Sequence, residues 1–267
     1  MNPSRLAVRL ACRELRGGLK GFRLFLACLA LGVAAIAAVA SMNRAVSDAL
    51  RADAPPLLGG DLDVRLTQRL PTQAEAAHLR ATAAAYSAII EMRAMARPDR
   101  DGAAIEQSGF DDGRSAMVEL KAVDGNYPLI GQIELTPVVP LHHLLANRDG
   151  AWGAVADPVL LSRLGLQPGE RIRIGDASFV LRGTVDREPD RIASVATFGP
   201  RLMIAEDALA STGLIQPGSL FRHATRVVLP KDETEDTWRA AALAVFADAG
   251  WQIRGTGDAQ ATRIEST

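Results

Sequence analysis

An α+β domain carried behind a single membrane-spanning helix is the architecture that this 267-residue chain predicts. Three observations predict it. Leu24 to Met42 is an uncharged apolar run of about 19 residues, enough for a helix to cross the hydrocarbon core of a bilayer. From about Leu57 onward the composition becomes that of an ordinary soluble domain with an acidic excess. Within that remainder, period-2 strand patterns and capped helices mix without strict βα alternation, which favours α+β over a doubly wound sheet.

The N-terminal element is a basic amphipathic helix over 1–21. On a helical wheel Arg5, Arg9, Arg13, Arg16, Lys20 and Arg23 fall within about 80° of one another, while Leu6, Leu10, Leu15, Leu19 and Phe22 occupy the other sides. Such a helix lies on the inner leaflet with its basic stripe toward anionic headgroups. The span with its extension follows over 22–50. These six basic residues face only Glu14, whereas Arg44 and Arg51 beyond the span are offset by Asp48 and Asp53. They are therefore the membrane-orienting residues: the positive-inside bias keeps the N-terminus cytoplasmic and puts the chain after about residue 45 in the periplasm. A cleavable signal peptide is the rival, since Ala38-Val39-Ala40 before Ser41 fits a small-x-small cleavage site. The length of the apolar run and the long, patterned basic lead-in favour a retained anchor.

The exported part, 57–267, follows in order. Pro55-Pro56 stops the helix and Gly59-Gly60 turns the chain into a strand over 61–66, with Leu62, Val64 and Leu66 on its buried face. Thr72 caps a helix over 73–85, and strands follow over 89–97 and 115–123. Asp157-Pro158 opens and Gly165 closes a helix whose end Leu166 covers. A hairpin pairs 170–174 with 178–185. A strand over 201–205, a short helix over 206–212 ending at Gly213, a strand over 225–229, an amphipathic helix over 233–249 and a strand over 251–254 complete the domain.

Several chemistries are excluded. The net charge is −1 and the mean hydropathy +0.07. Both cysteines, Cys12 and Cys28, lie N-terminal to the exported part, which therefore has no disulfide, thiol nucleophile or thiolate metal site. Basic residues beyond 60 are interspersed with acids, so nucleic-acid binding does not fit. Lys20, Lys121 and Lys231 all lack the glycines of a phosphate-binding loop, and no Gly-x-Ser-x-Gly elbow occurs. His142-His143 reads as two surface histidines on a short helix, because adjacent helical residues point about 100° apart. Asp186-Arg187-Glu188-Pro189-Asp190-Arg191 reads as a solvated strand end. Asp61 and Asp63 share one strand face with Arg65, which compensates them. The expectation is a binding or force-bearing module, not an enzyme, with no catalytic, cofactor-binding or metal-ligating residues.

The chain further resembles FtsX-like ABC-transporter permeases with a MacB-type periplasmic core domain, in particular their YbbP-type branch. The resemblance rests on Leu58-Gly59-Gly60-Asp61-Leu62, Leu120-Lys121-Ala122-Val123-Asp124, Tyr127-Pro128-Leu129 with Gly131, and Leu164-Gly165-Leu166 with Pro168-Gly169-Glu170. It continues through Glu188-Pro189-Asp190, Phe198-Gly199-Pro200-Arg201 and Thr212-Gly213-Leu214-Ile215-Gln216-Pro217-Gly218-Ser219. It implies a non-catalytic permease subunit of the bacterial inner membrane. It also implies a cytoplasmic ABC ATPase partner that binds the ATP, and lipid, lysophospholipid-related or lipoprotein-type export. The bilayer, and a second permease copy or a periplasmic protein, are the other implied partners. Permeases of this family carry further spans after the periplasmic domain, so the 267 residues read as the N-terminal part of one. The alternative is a single-span or secreted periplasmic binding module without an ATPase.

Overall fold

The computed structural model describes residues 25–42, 59–99, 114–190 and 199–255. The chain divides into two units, Met1–Ala52 and Asp53–Thr267. In the first, helix α1 (Phe25–Met42) is the one helix among the described residues long and apolar enough to cross a membrane. Its 18 residues reach about 27 Å at 1.5 Å per residue, close to the thickness of a hydrocarbon core. Phe25, Leu31, Ile36 and Val39 project outward and are exposed. The helix expected over 1–21, with Arg5, Arg9, Arg13, Arg16, Lys20 and Arg23, lies outside the described residues, as does the extension past Met42.

The second unit is built from two interlocked parts. Strand β1 (Leu62–Thr67), helix α2 (Gln73–Thr82) and strand β2 (Ala85–Pro98) open it. Strand β10 (Phe221–Val228), helix α6 (Glu235–Val245) and strand β11 (Gln252–Gly255) close it. These six elements form a split β-α-β-β-α-β arrangement with strand order β11-β1-β10-β2, every pair antiparallel.

Inserted between β2 and β10 are β3 (Ala116–Val123), β4 (Glu134–Thr136), α3 (Leu141–Leu145), β5 (Asn147–Arg148), β6 (Ala151–Ala156), α4 (Pro158–Leu164), β7 (Arg171–Ile174), β8 (Ala177–Arg187), β9 (Arg201–Ala205) and α5 (Glu206–Leu209). Pairing runs β2-β3-β9-β6-β8-β7 and returns to β2, closing a six-stranded ring. Strand β2 belongs to both parts. Ala85–Met92 pair with β10, and Ala96–Pro98 pair with β7.

Side-chain size explains the closure. Alanines at 94, 96, 116, 122, 154 and 156 point inward among Ile172, Ile174, Phe179, Leu181 and Leu202, so small and large residues together fill a narrow interior. A second cluster, containing Ile89, Val123, Val155 and Met203, packs under Tyr127, Leu135 and helix α3. A third, around Leu62, Leu79, Trp238 and Trp251, joins β1 to α2 and α6.

Helix termini follow their sequence signals. Thr72 and Glu75 form a reciprocal capping box on α2. Asp157 accepts from Val159 N at the start of α4, and Gly165 ends it at φ 66° with Leu166 N donating to Leu161 O. The strand limits differ more. Strands β2 and β10 each begin four residues before the sequence pattern indicates, because the split sheet pairs them there in register. The run Ala-Trp-Gly-Ala-Val-Ala of β6 has no polar alternation because both of its faces are covered, by the ring interior and by the second cluster.

Candidate functional site: a buried ion cluster

Strand register brings charges together on one covered face of the sheet. Asp63 of β1 stands opposite Arg226 of β10, which stands opposite Ser87 of β2. Four residues further along β2, Glu91 faces Lys121 of β3, and Glu119 of β3 faces Arg201 of β9. Two segments close over this face. The loop after β3 is pinned at Asp124, which accepts from Ser87 Oγ at 2.7 Å and from Ala88 N at 2.8 Å. Asn126 Nδ2 donates to Tyr86 O at 3.0 Å, and the loop thereby presents Tyr127. From the other side, the chain leaving β8 brings Glu188 and Asp190.

Lys121 is the centre. Its side chain is 1% exposed, and Nζ donates to Tyr127 OH at 2.8 Å, Asp190 Oδ2 at 2.9 Å and Glu188 Oε2 at 3.2 Å. Tyr127 OH donates to Asp190 Oδ1 at 2.6 Å. Arg201 Nε donates to Glu188 Oε1 at 2.8 Å, and Arg226 Nη2 lies 3.1 Å from Asp190 Oδ2. Asp63 is matched by Arg65, whose Nε donates to Oδ2 at 2.6 Å.

Burial alone would raise the Asp190 carboxyl. The Lys121 and Arg226 charges and the hydrogen bonds from Tyr127 and Lys121 outweigh it, holding Asp190 well below the usual carboxylate range. Burial, followed by the Asp190 and Glu188 charges, pushes the Tyr127 phenol well above its ordinary value. Asp190 is therefore a carboxylate paired with Lys121 and Arg226, and the three side chains are almost fully shielded from water. The cluster ties side chains of β3, β9 and β10 to the chain that leaves β8.

Two glycines are explained by the same site. A Cβ on Gly131, at φ 87°, would stand 2.6 Å from Pro189 Cβ. One on Gly59, at φ 72°, would stand 2.6 Å from Arg226 Nη1 and 3.7 Å from Asp190 Cβ.

Two sequence readings are corrected here. The 186–191 run is not wholly a solvated strand end. Asp186 and Arg187 are exposed, but the Glu188 and Asp190 side chains are 1% and 2% exposed, because cations from β3, β9 and β10 lie beneath them. Strand β1 buries Leu62, Val64 and Leu66 as its alternation indicates, but Asp63 on the other face is 0% exposed as well. His142 and His143 are exposed on α3 as the sequence indicates. The cluster itself is missed by motif reasoning, although Lys121 stands alone in an apolar stretch, Leu120-Lys121-Ala122-Val123, which is a signal of a paired interior charge. The stretches that carry the family resemblance contribute Gly59, Lys121, Tyr127, Gly131, Glu188, Asp190 and Arg201, and all of these meet in this one place.

No known family profile matches the chain. Over 103 residues, 39% of its length, it is 32% identical to an uncharacterized ABC transporter permease, YbbP, of Escherichia coli strain K12; the match spans 12% of that permease. In fold it is similar to the periplasmic region of MacB from Actinobacillus actinomycetemcomitans, with TM-score 0.50, 12% identity, and coverage of 78% of this chain and 94% of that one. The resemblance drawn from the sequence stretches is met in both respects: a partial match to a YbbP-type permease, and the mixed α+β fold of a MacB-type periplasmic domain behind one apolar N-terminal helix.

Proposed function

We propose that this chain is the first span and periplasmic domain of an ABC-transporter permease, a non-catalytic subunit that conveys work from a cytoplasmic ABC ATPase to the periplasm. The observation that carries the reading is the 32% identity to a permease over 103 residues, in a chain whose second unit has the MacB periplasmic fold. The ATP belongs to the ATPase; this chain binds no cofactor. Segment 1–21 lies on the inner leaflet, 22–50 crosses the inner membrane, and 57–267 folds in the periplasm. Arg5, Arg9, Arg13, Arg16, Lys20 and Arg23 set that orientation. The cargo class is lipid-like or lipoprotein-like, and a second permease copy or a periplasmic protein completes the assembly.

Leu62 pairs with Gly255, so the described part of the second unit begins and ends at neighbouring positions. An alkaline phosphatase reporter fused after Arg51 tests the topology. Activity in the periplasm, with Met1–Ala40 retained in the mature protein, is the expected result. An N-terminus at Ser41 makes the chain a secreted binding module instead.

A further inference from the structure

The structure assigns a mechanical joint to the contact of Gly59, Arg226 and Asp190. We propose that displacement of the chain where it joins the sheet is passed through this contact to the inserted barrel. The inference deepens the permease reading, since it names the residues through which motion arriving from the membrane side reaches the periplasmic fold.

The contact has three components, each from a different stretch of the chain: the residues before β1, strand β10 and the segment after β8. Gly59 immediately precedes β1 and sits against Arg226 so closely that a single added methyl would stand 2.6 Å from Nη1. The following residues fix this segment to β10: Asp61 N donates to Val227 O at 2.9 Å, and Leu229 N donates to Asp61 Oδ2 at 2.8 Å. A Cβ on Gly60 would stand 2.9 Å from Val227 O, so the backbone of this segment lies directly against β10. Arg226 then reaches across to Asp190, which is not part of the split sheet but follows β8 of the barrel. Asp190 is held in turn by Lys121 of β3 and by Tyr127.

Burying charges at this junction is costly in solvation, whereas apolar packing would join the same surfaces. What ion pairs supply is direction: a guanidinium–carboxylate contact fails when its partners shift or rotate by an ångström or two, and apolar side chains slide.

Hydrogen exchange on the full chain in phospholipid nanodiscs tests this. It reads the joint without an ATPase, so its outcome and that of the permease reading are separable. Gly59→Ala should speed exchange by about tenfold at Leu62–Val64 and also at Val185–Arg187 of β8, through local opening of the joint. Asp190→Asn should have the same two-sided effect, and the double variant should exchange no faster than Asp190→Asn alone. If Asp190→Asn fails to fold, Arg226→Lys takes its place. Faster exchange confined to Leu62–Val64 in Gly59→Ala, or effects that multiply in the double variant, would overturn the proposal.

Discussion

Lys121 makes the most demanding commitment of any side chain in the domain, since it neutralises two carboxylates that have no route to water. Lys121→Met removes one partner and leaves Glu188 and Asp190 buried with less compensation. The expected loss is about 3–5 kcal/mol of unfolding free energy, measured by urea denaturation, and a loss below about 1 kcal/mol would mean the cluster is far better solvated than its geometry indicates. Two other residues contribute to the response to acid alongside Asp190. Burial, and then the charge of Arg69, lowers His223 from 6.5 to about 4. The fold accepts the neutral ring, so its contribution is complete above pH 6.5 and is lost as pH falls toward 4. The hydrogen bond from Arg69 lowers Glu75 from 4.5 to about 2 against the opposing effect of burial, so its contribution is complete above 4.5 and is lost as pH falls toward 2. Stability should therefore fall in two successive stages below pH 6.5. His223→Gln should flatten the first stage and leave the second; a curve unchanged in both stages would refute the assignment.

At the level of elements, legibility tracked local chemistry. Helix α4 was readable because Asp157, Pro158 and Gly165 act within one turn of its ends, and the same holds for the Thr72 capping box on α2. Asp157→Ala should cost about 1 kcal/mol. Gly165→Ala should cost more, because φ is 66°, a left-handed conformation that a Cβ strains. Thermal melts of the two variants rank these effects, and a smaller loss for Gly165→Ala would contradict the left-handed cap. Strands β4, β5 and β6 were not readable. The first two are 3 and 2 residues long and exist only through their partners. The third is covered on both faces and so lacks the alternation that marks a strand.

At the scale of the whole molecule, the mixed class and the separation of an apolar helix from a soluble domain followed from composition and periodicity. The closed ring did not. Its closure depends on β2 pairing with β10 along one half and with β7 along the other, a register that no local pattern encodes. The ion cluster was illegible for a related reason. Residues 63, 121, 127, 188, 190, 201 and 226 are scattered along the sequence, and only the topology makes them neighbours. Read one at a time, they look like turn and strand-end residues; read together, they are a charged interior that ties the inserted barrel to the split sheet.

The central claim, a permease that works with an ATPase, is tested most directly by isolating the product of this gene from its native membranes in mild detergent. The account predicts that an ABC-type ATPase accompanies it in stoichiometric amount and that vanadate-sensitive ATP hydrolysis is recovered with the complex. A product that is released from the periplasm with Ser41 at its N-terminus, or that leaves the membrane with no ATPase attached, would contradict it.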